Sequence, residues 1–249
     1  MKPYLVFRLY GPMASWGLPA VGGDRQTAVY PSRSAILGLL GAAMGIKRDD
    51  EQGLKALQLS VDIGLKQMVP SSLSRDYHTT QVPSSKSKVV YRTRKSELSQ
   101  VKLNTILSSR DYRCDGLWVV AISLTNAAIL NLASLQSALQ RPVYSLSLGR
   151  KSCPLALPVM PIILDSCSLK TALDTTFPSI TSTEQTDGFW LGSNGWVTYF
   201  WQGDKNEMGE KNILTTHPWD EPINRSRWQF TQRPSHQLSL PIQQREGDE

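Results

Sequence analysis

The first 150 residues carry a hydrophobic pattern that switches between the periods of strands and helices. In Pro3–Tyr10, Leu5, Phe7 and Leu9 alternate with the residues of the other face. This period of two predicts a β-strand with one face on a core. The polar segment that follows, residues 11–31, contains glycine and proline and predicts a loop.

An apolar segment after that loop predicts the first helix. Ser32 or Ser34 can cap its start by accepting a hydrogen bond from a backbone N–H, and the pattern continues to Ile46. Five further elements are predicted in the same way: a helix at 51–57, strands at 59–66 and 117–124, a helix at 130–139 and a strand at 143–149.

The order of these elements matches an α+β fold, the ferredoxin-like βαββαβ unit, with an antiparallel sheet and its helices on one face. A polar, basic insertion at about 71–115 falls between the second and third strands. Later in the chain prolines are frequent and short strand-like pieces recur, such as Gly195–Trp201. We expect a domain at 1–152 that contains the insertion and a smaller, irregular β-rich part at 153–249, with a frayed tail.

The basic charge is concentrated in that insertion. The net charge of the chain is +6, and between Arg75 and Arg113 nine basic residues stand against three acidic ones, which equals the whole surplus. A localised positive segment is typical of a surface that binds a polyanion. A solvated, lysine-containing loop would have the same composition, so charge alone leaves both interpretations open.

Composition favours a folded protein without a membrane segment. Hydrophobic residues make up 40% of the chain, enough for a core. The longest apolar run, Ala35–Ile46, is shorter than the roughly 20 residues that span a bilayer, and no signal-peptide pattern is visible at the start. We therefore expect a cytoplasmic protein. Three cysteines without CxxC spacing favour buried reduced thiols, and neither a metal nor a cofactor is predicted.

Two segments could hold an anion. Gly149–Ser152 combines a glycine, two cations and a hydroxyl, and its backbone amides could cradle a phosphate, although an ordinary basic turn would look the same. The predicted helix start offers free N–H groups and the positive end of the helix dipole. Arg33 in its first turn opposes that dipole and needs an anion nearby, either a phosphate or a carboxylate such as Asp24 or Asp76.

Aromatic and basic residues interleave in the insertion, for example at Arg75, Tyr77 and His78 and along Arg110–Arg113. Nucleic-acid bases stack on such rings while cations follow the backbone, but surface tyrosines of a hairpin would give the same pattern. Tyr77, His78 and Lys86 could together support general acid–base cleavage of RNA. No paired carboxylates or nucleophile motif accompany them, so we expect His78 to be structural or to contact RNA.

Five ordered motifs give the sequence a family resemblance. They are Gly11–Gly17, Tyr30–Ala42, Arg75–Thr79, Arg110–Asp115 and Arg141–Pro154. In this order and spacing they resemble the CasD-type subunits of the type I-E CRISPR surveillance complex, Cascade. The resemblance covers about residues 1–160, with a weaker match at Asp220–Pro222.

The resemblance implies an RNA-binding fold of the RAMP superfamily in which the basic insertion is a thumb-like β-hairpin. It implies a non-catalytic subunit that binds the 5′ handle of the CRISPR RNA, with contacts at Arg25, Thr27, Arg33, Ser34 and the Gly149–Ser152 turn. It also implies contacts with the backbone subunit and the large PAM-reading subunit, and through them an indirect link to target DNA. Related type I-C subunits cut RNA, so a metal-independent endoribonuclease is the alternative function.

The predicted RNA-binding residues combine these contacts with polar and aromatic positions of the five motifs. They are Met13, Trp16, Arg25, Thr27, Arg33, Ser34, Arg75, Tyr77, His78, Arg110, Tyr144, Gly149, Arg150, Lys151 and Ser152. A third possibility is a generic single-strand binder of the RRM type. It would need exposed aromatic residues on the central strands, and no RNP1-like run is present.

Overall fold

The computed structural model describes residues 1–20, 22–84, 90–99, 102–192, 195–224, 227 and 229–242. The strands are β1 (Lys2–Tyr10), β2 (Met13–Ala14), β3 (Val61–Gln67), β4 (Ser72–Pro83), β5 (Leu103–Cys114), β6 (Leu117–Leu124), β7 (Ile162–Cys167), β8 (Trp196–Trp201), β9 (Leu214–Thr216), β10 (Glu221–Asn224), β11 (Gln229–Thr231) and β12 (Ser235–Pro241). The helices are α1 (Arg33–Met44), α2 (Glu51–Ser60), α3 (Arg94–Leu98), α4 (Leu132–Gln140), α5 (Leu169–Leu173), α6 (Glu184–Leu191) and a 3-10 helix, Lys205–Met208.

The architecture is a mixed α and β fold built on a large antiparallel sheet, as the sequence predicted at this level. The sheet has seven strands in the order β7-β1-β6-β3-β8-β12-β9. β10 and β11 form a separate pair, and β2, β5 and β4 form a three-stranded sheet. Among the helices in the described part of the chain, none is long and apolar enough to cross a bilayer.

The central strands are buried on both faces. On β1, Leu5 and Phe7 belong to a core that includes residues of α1, α2 and α4. Tyr4 and Val6 belong to a second core, which α5 helps to cover. The predicted alternation on β1 is therefore confirmed, but the expectation that only one face is covered is wrong, because later segments pack on the other face.

Helix α1 begins where its capping residue predicts. The Ser32 side chain accepts a hydrogen bond from the backbone N–H of Ala35, which satisfies one of the free donors of the first turn. Ile36, Leu39 and Leu40 are buried in the first core.

The strand predicted at 143–149 is wrong. This segment forms turns and one isolated bridge, Ser147 with Pro154. Its N-terminal part bonds to the end of α1, where the N–H of Tyr144 donates to the carbonyl of Ala42 at 3.1 Å. The strand beside β1 is β7, which starts at Ile162. The sheet thus runs continuously across the predicted boundary at residue 152, and that boundary stays a prediction.

The second face of the sheet contains a half-buried charge cluster. Asp174 accepts hydrogen bonds from Lys66 at 2.6 Å, Tyr199 at 2.6 Å and Lys170 at 3.0 Å. Burial by itself would raise the pKa of Asp174, but these three donors outweigh it and hold the pKa below its ordinary value. The cluster satisfies Lys66, whose side chain is almost entirely covered.

The insertion folds as a long hairpin, which we call the hairpin (β4, β5 and the connecting residues 84–102). β4 and β5 pair without a register shift from Ser72 with Cys114 to Pro83 with Leu103. The sequence had suggested only short β-prone pieces, for example at residues 89–91. The residue pattern did not mark the full strands because both faces are largely exposed and lack apolar alternation; the β-hairpin was expected from the family resemblance alone.

The cysteines match their prediction in part. All three are free thiols, but only Cys153 is buried, whereas Cys114 and Cys167 are half-buried. Burial raises the pKa of the Cys153 thiol, which keeps it protonated and unreactive at neutral pH.

Candidate nucleic-acid interface

The base of the hairpin brings four sequence motifs together. β2 pairs with β5, with Met13 opposite Cys114. The 22–28 segment lies along the same strand, where Arg25 forms a parallel bridge with Arg110. The turn at 148–153 packs behind them, because the N–H of Ser15 donates to the carbonyl of Leu148 at 2.9 Å. Segments far apart in sequence thus meet at the base of the hairpin.

Asp111 occupies the centre of this assembly. Its carboxylate accepts two hydrogen bonds from Arg75, from Nε at 2.7 Å and from Nη2 at 3.0 Å. Its N–H donates to the carbonyl of Arg25 at 2.9 Å, and its own carbonyl accepts from the Ser15 hydroxyl at 3.2 Å. The Arg75 guanidinium holds the pKa of Asp111 below its ordinary value, against the opposing effect of desolvation.

Arg150 joins the turn to this assembly. Its guanidinium donates to the carbonyl oxygens of Arg25, at 3.0 Å, and Asp111, at 3.4 Å, and lies 4.9 Å from the ring centre of Tyr112. Tyr112 is buried, so it is not one of the base-stacking surfaces that the sequence had allowed. The half-buried Arg150 therefore holds the turn against the hairpin, in addition to any contact it makes with a ligand.

Gly149 allows the turn to pack this closely. Its φ is +85°, in the left-handed region, and an added Cβ would lie 1.9 Å from the carbonyl oxygen of Ser15. Both the conformation and the contact require glycine. After it, Lys151 and Ser152 are exposed.

Several predicted cations remain open to solvent around this base. Arg25 and Arg110 are exposed, and the Arg75 side chain is 59% exposed despite its bond to Asp111. Lys151 is exposed on the turn. Met13, 39% exposed, adds an apolar contact at the edge. A surface of this kind suits a phosphate backbone, because cations held on a rigid frame can follow successive phosphates.

Trp16 and Thr27 lie beneath this surface. Trp16 is buried and packs edge-on against Trp118 with ring centres 5.2 Å apart. The Thr27 hydroxyl, also buried, accepts a hydrogen bond from the backbone N–H of Trp16 at 2.8 Å. Both side chains therefore support the interface from inside.

Arg33 lies apart from the hairpin base and is bound within the protein. It is 6% exposed, and its guanidinium contacts Glu221 at 2.6 Å and the carbonyl oxygens of Val61 and Gln58 at 3.1 and 2.7 Å. Its backbone N–H donates to Asp220 at 2.7 Å. The carboxylates beside Arg33 at the start of α1 are thus those of Asp220 and Glu221. The suggestion that Asp24 or Asp76 takes this place is wrong.

The other two predicted residues on or beside α1 also lie away from the hairpin. Ser34 is half-buried in the first turn of α1, with its hydroxyl 3.1 Å from that of Ser32. Tyr144 is 43% exposed and bonded near the opposite end of α1, about 14 Å along the helix axis from Arg33.

Tyr77 and His78 occupy opposite faces of the hairpin. They are consecutive residues of a strand with an unbroken register, so their side chains point to opposite sides. Tyr77 is 64% exposed, while the His78 imidazole contacts the Asp76 carboxylate. Lys86 lies outside the described residues. A single active site that uses both Tyr77 and His78 would thus need a rearrangement of β4.

Four further cations of the hairpin lie towards its far end, among the residues that the structure describes. Arg92, Arg94, Lys95 and Lys102 are exposed there, and Arg94 is paired with Glu97 at 2.6 Å. The basic charge that the sequence placed in the insertion thus lies on a projecting element, next to the motifs at its base.

The central strands do not provide a stacking platform of the RRM type. Tyr4, Phe7 and Trp118, on strands β1 and β6, are each at most 2% exposed. A generic single-strand binder would need such aromatic rings open to solvent, so the structure contradicts that hypothesis.

Sequence reasoning left Asp111 and the pair Asp220–Glu221 out of the predicted site. One signal for Asp111 is visible in the sequence, since the tripeptide Arg-Asp-Tyr occurs twice, at 75–77 and at 110–112. The contact between Arg33 and Glu221 joins residues nearly 190 positions apart, and no local pattern predicts it.

Comparison with known proteins defines the class to which this fold and surface belong. The family described as "CRISPR-associated protein (Cas_Cas5)" matches residues 4–235. The chain belongs to the Cas5 family of CRISPR-associated proteins.

A curated relative and two solved structures add detail. The chain is 39% identical over 175 residues to "CRISPR system Cascade subunit CasD" from Escherichia coli (strain K12), which covers 67% of this chain and 72% of that protein. A chain of a "CRISPR RNA-guided surveillance complex" aligns with a TM-score of 0.61 and 23% identity over 96% of this chain and 89% of that one. The structure described as "Crystal structure of Cas protein" aligns with a TM-score of 0.59 and 23% identity over 96% and 95%. These two structures share the fold.

Proposed function

We propose that this chain is a non-catalytic subunit of a CRISPR surveillance complex and that it binds the 5′ handle of the CRISPR RNA at the base of the hairpin. The observation that carries the proposal is the convergence of four motifs around Asp111 and Arg150. It brings the exposed Arg25, Arg110 and Lys151, and Arg75 on the opposite face of the hairpin, to the base of a basic, projecting element. The similarity to a Cascade subunit supports the assignment to such a complex.

The first step of the proposal concerns which residues touch the RNA. The residues that are exposed at the hairpin base act as direct contacts. They are Arg25, Arg75, Arg110, Lys151, Ser152, Met13 and the backbone of Gly149. Trp16, Thr27 and Arg150 position this surface from inside or behind. Tyr77 and His78 contact RNA further along β4. Arg33 and Ser34 act by holding α1 in place, and Tyr144 acts at a separate point.

The second step concerns the fold. β1, α1, β3, β6, α4 and β7 form the ferredoxin-like unit of a RAMP protein, and the strand order β7-β1-β6-β3 supports this. The hairpin then lies between the second and third strands of the unit and acts as its thumb. Strands β8, β12 and β9 extend the sheet beyond it.

The third step concerns the partners. The chain binds the CRISPR RNA and bridges two protein subunits, the backbone subunit and the large PAM-reading subunit. It reaches target DNA only indirectly, through the assembled complex. Exposed apolar residues outside the hairpin base, such as Trp219 (55%) and Ile223 (66%), suit contacts with protein partners.

A gel assay in EDTA with the full chain and the CRISPR repeat RNA of the same host tests binding and cleavage in the same lanes. We expect a shifted band that depends on the handle sequence and no new RNA fragments. Because His78 is bound to Asp76 and separated from Tyr77 by the strand, the His78→Ala variant should leave the RNA equally intact. Specific cleavage by the wild type that His78→Ala abolishes would establish the endoribonuclease alternative instead.

The turn at 149–152 should contribute through two different effects. Lys151→Ala removes an exposed cation, so the slope of log affinity against log salt should fall by about 0.7, the value for one phosphate contact in a single strand. Arg150→Ala also removes the bonds to Arg25 and Asp111, so its loss of affinity should exceed that of Lys151→Ala.

Lys211→Ala is the control for charge alone, because Lys211 is an exposed lysine that belongs neither to the hairpin nor to any of the five motifs. Binding is measured by fluorescence anisotropy between about 50 and 300 mM salt, a range over which salt increasingly screens the contacts between cations and phosphates. An unchanged slope in Lys151→Ala would remove the turn from the set of phosphate contacts.

A further inference from the structure

We propose that Asp111 is a positioning residue for RNA binding: its buried carboxylate fixes the guanidinium of Arg75 in one orientation at the base of the hairpin, so that the remaining face of that guanidinium meets the RNA backbone. The inference rests on the proposed function and deepens it, because it assigns a role in RNA binding to an acidic residue within a basic surface.

The contact between Asp111 and Arg75 is built to hold an orientation. Nε and Nη2 of Arg75 donate to the two carboxylate oxygens at 2.7 and 3.0 Å, the parallel two-bond geometry that fixes the plane of a guanidinium. The Asp111 side chain is 7% exposed, whereas that of Arg75 is 59% exposed. The acid is therefore the inner support, and the cation is the outer group.

Arg75 keeps hydrogen-bonding capacity after this contact. A guanidinium has five N–H groups, and Asp111 takes two of them. Among the residues that the structure describes, no other acceptor is bonded to the Arg75 side chain. Three N–H groups thus stay available on the exposed side, in a plane that Asp111 has already set. This reduces the loss of conformational entropy when a phosphate binds.

The backbone of Asp111 fixes the position of the support itself. Its N–H and carbonyl bond to Arg25 of the 22–28 segment and to Ser15 and Arg150, which come from two other motifs. These bonds do not involve the carboxylate. A change limited to the side chain should therefore free Arg75 while the assembly around it remains.

The repeated tripeptide supplies a matched control on the same hairpin. In the register of β4 and β5, Arg75 lies opposite Asp111, and Asp76 lies opposite Arg110. The two pairs occupy opposite faces. Asp76 is 47% exposed and contacts His78. It therefore stands in the same tripeptide as Asp111 but is not a buried carboxylate that holds an arginine.

An effect of charge and an effect of positioning predict opposite changes in RNA affinity for the Asp111→Asn variant. Asp111→Asn removes one negative charge beside a polyanion site, so electrostatics alone would tighten RNA binding. If Asp111 positions Arg75, the same variant weakens binding, because Arg75 becomes mobile. We expect Asp111→Asn to bind the repeat RNA about five- to tenfold more weakly than wild type. Asp76→Asn should bind as tightly as wild type or slightly more tightly.

Two further variants separate positioning from a loss of folding. Arg75→Lys keeps the charge on an exposed side chain but cannot make the two parallel bonds, so it should weaken binding about threefold or more without affecting stability. In an Arg75→Gln background, adding Asp111→Asn should cause no further loss, because the group that Asp111 orients is already gone.

The experiment uses the full chain with the CRISPR repeat RNA of the same host, and thermal unfolding is recorded for each variant. If the wild type fails to bind this RNA, the proposed function is overturned. If the wild type binds and Asp111→Asn binds as tightly as Asp76→Asn, or if Arg75→Lys matches the wild type, the role of Asp111 alone is overturned.

Discussion

Replacing Arg33 with methionine should lower the free energy of unfolding by about 3 to 5 kcal/mol, the usual cost of breaking one side of a buried ion pair. The variant leaves the Glu221 carboxylate without its cation. It also removes the donors to the carbonyl oxygens of Val61 and Gln58. Burial lowers the pKa of Arg33, and the Glu221 carboxylate is the largest effect that opposes this shift. Urea unfolding followed by circular dichroism measures the effect.

Two controls locate the origin of this loss. Arg33→Met combined with Glu221→Gln removes the unpaired charge and should recover part of the stability. Lys55→Ala, at an exposed position of α2, should change the stability by less than about 0.5 kcal/mol. A variant of Arg33 that is fully stable and yet fails to bind RNA would return this residue to the direct contacts.

The second large effect is expected at Gly149. Gly149→Ala should lower the free energy of unfolding by about 2 to 4 kcal/mol, because the new Cβ meets a backbone oxygen 1.9 Å away in addition to the strain of a positive φ. It should also weaken RNA binding at least about tenfold, because the turn and its lysine must move away from Ser15. Thermal unfolding and fluorescence anisotropy measure the two effects.

Gly209→Ala is the matched control for Gly149→Ala. Gly209 has a similar φ of +67°, but nothing lies within 4 Å of an added Cβ. Its substitution should therefore cost only the conformational strain, about 1 kcal/mol, with RNA binding unchanged. Equal losses of stability in the two variants would show that the turn tolerates separation from Ser15.

The sequence predicts the elements whose pattern is decided locally. β1, α1, β3, β6, α4 and β8 occur where periodicity and the Ser32 cap place them, within a few residues. The strand predicted at 143–149 fails, because that segment alternates like a strand but bonds to the end of α1. The hairpin strands escaped the hydrophobic pattern for the opposite reason, since strands exposed on both faces leave no such pattern, and only the family resemblance indicated a hairpin there.

The structure shows where the candidate site residues lie, and their contacts with RNA stay a prediction. The segments around Arg25, Arg75, Arg110 and Arg150 meet at the base of the hairpin, and no local pattern in the sequence predicts this. The sequence could not show which of the predicted side chains would be buried or bonded within the protein and so be unable to contact RNA. Arg33 is bonded to residues far along the chain, and Trp16 and Thr27 became buried supports. Only tertiary contacts decide between these roles.

The position of β8 has a consequence for how the protein is made. β3 lies between β6 and β8, and β8 is encoded about 130 residues after β3. At a translation rate of roughly 5 to 20 residues per second, β3 leaves the ribosome about 7 to 27 s before its second neighbour. During that interval its edge has no partner strand. The newly made N-terminal half therefore presents an open, apolar sheet edge, the kind of surface that chaperones bind, until the C-terminal strands close it.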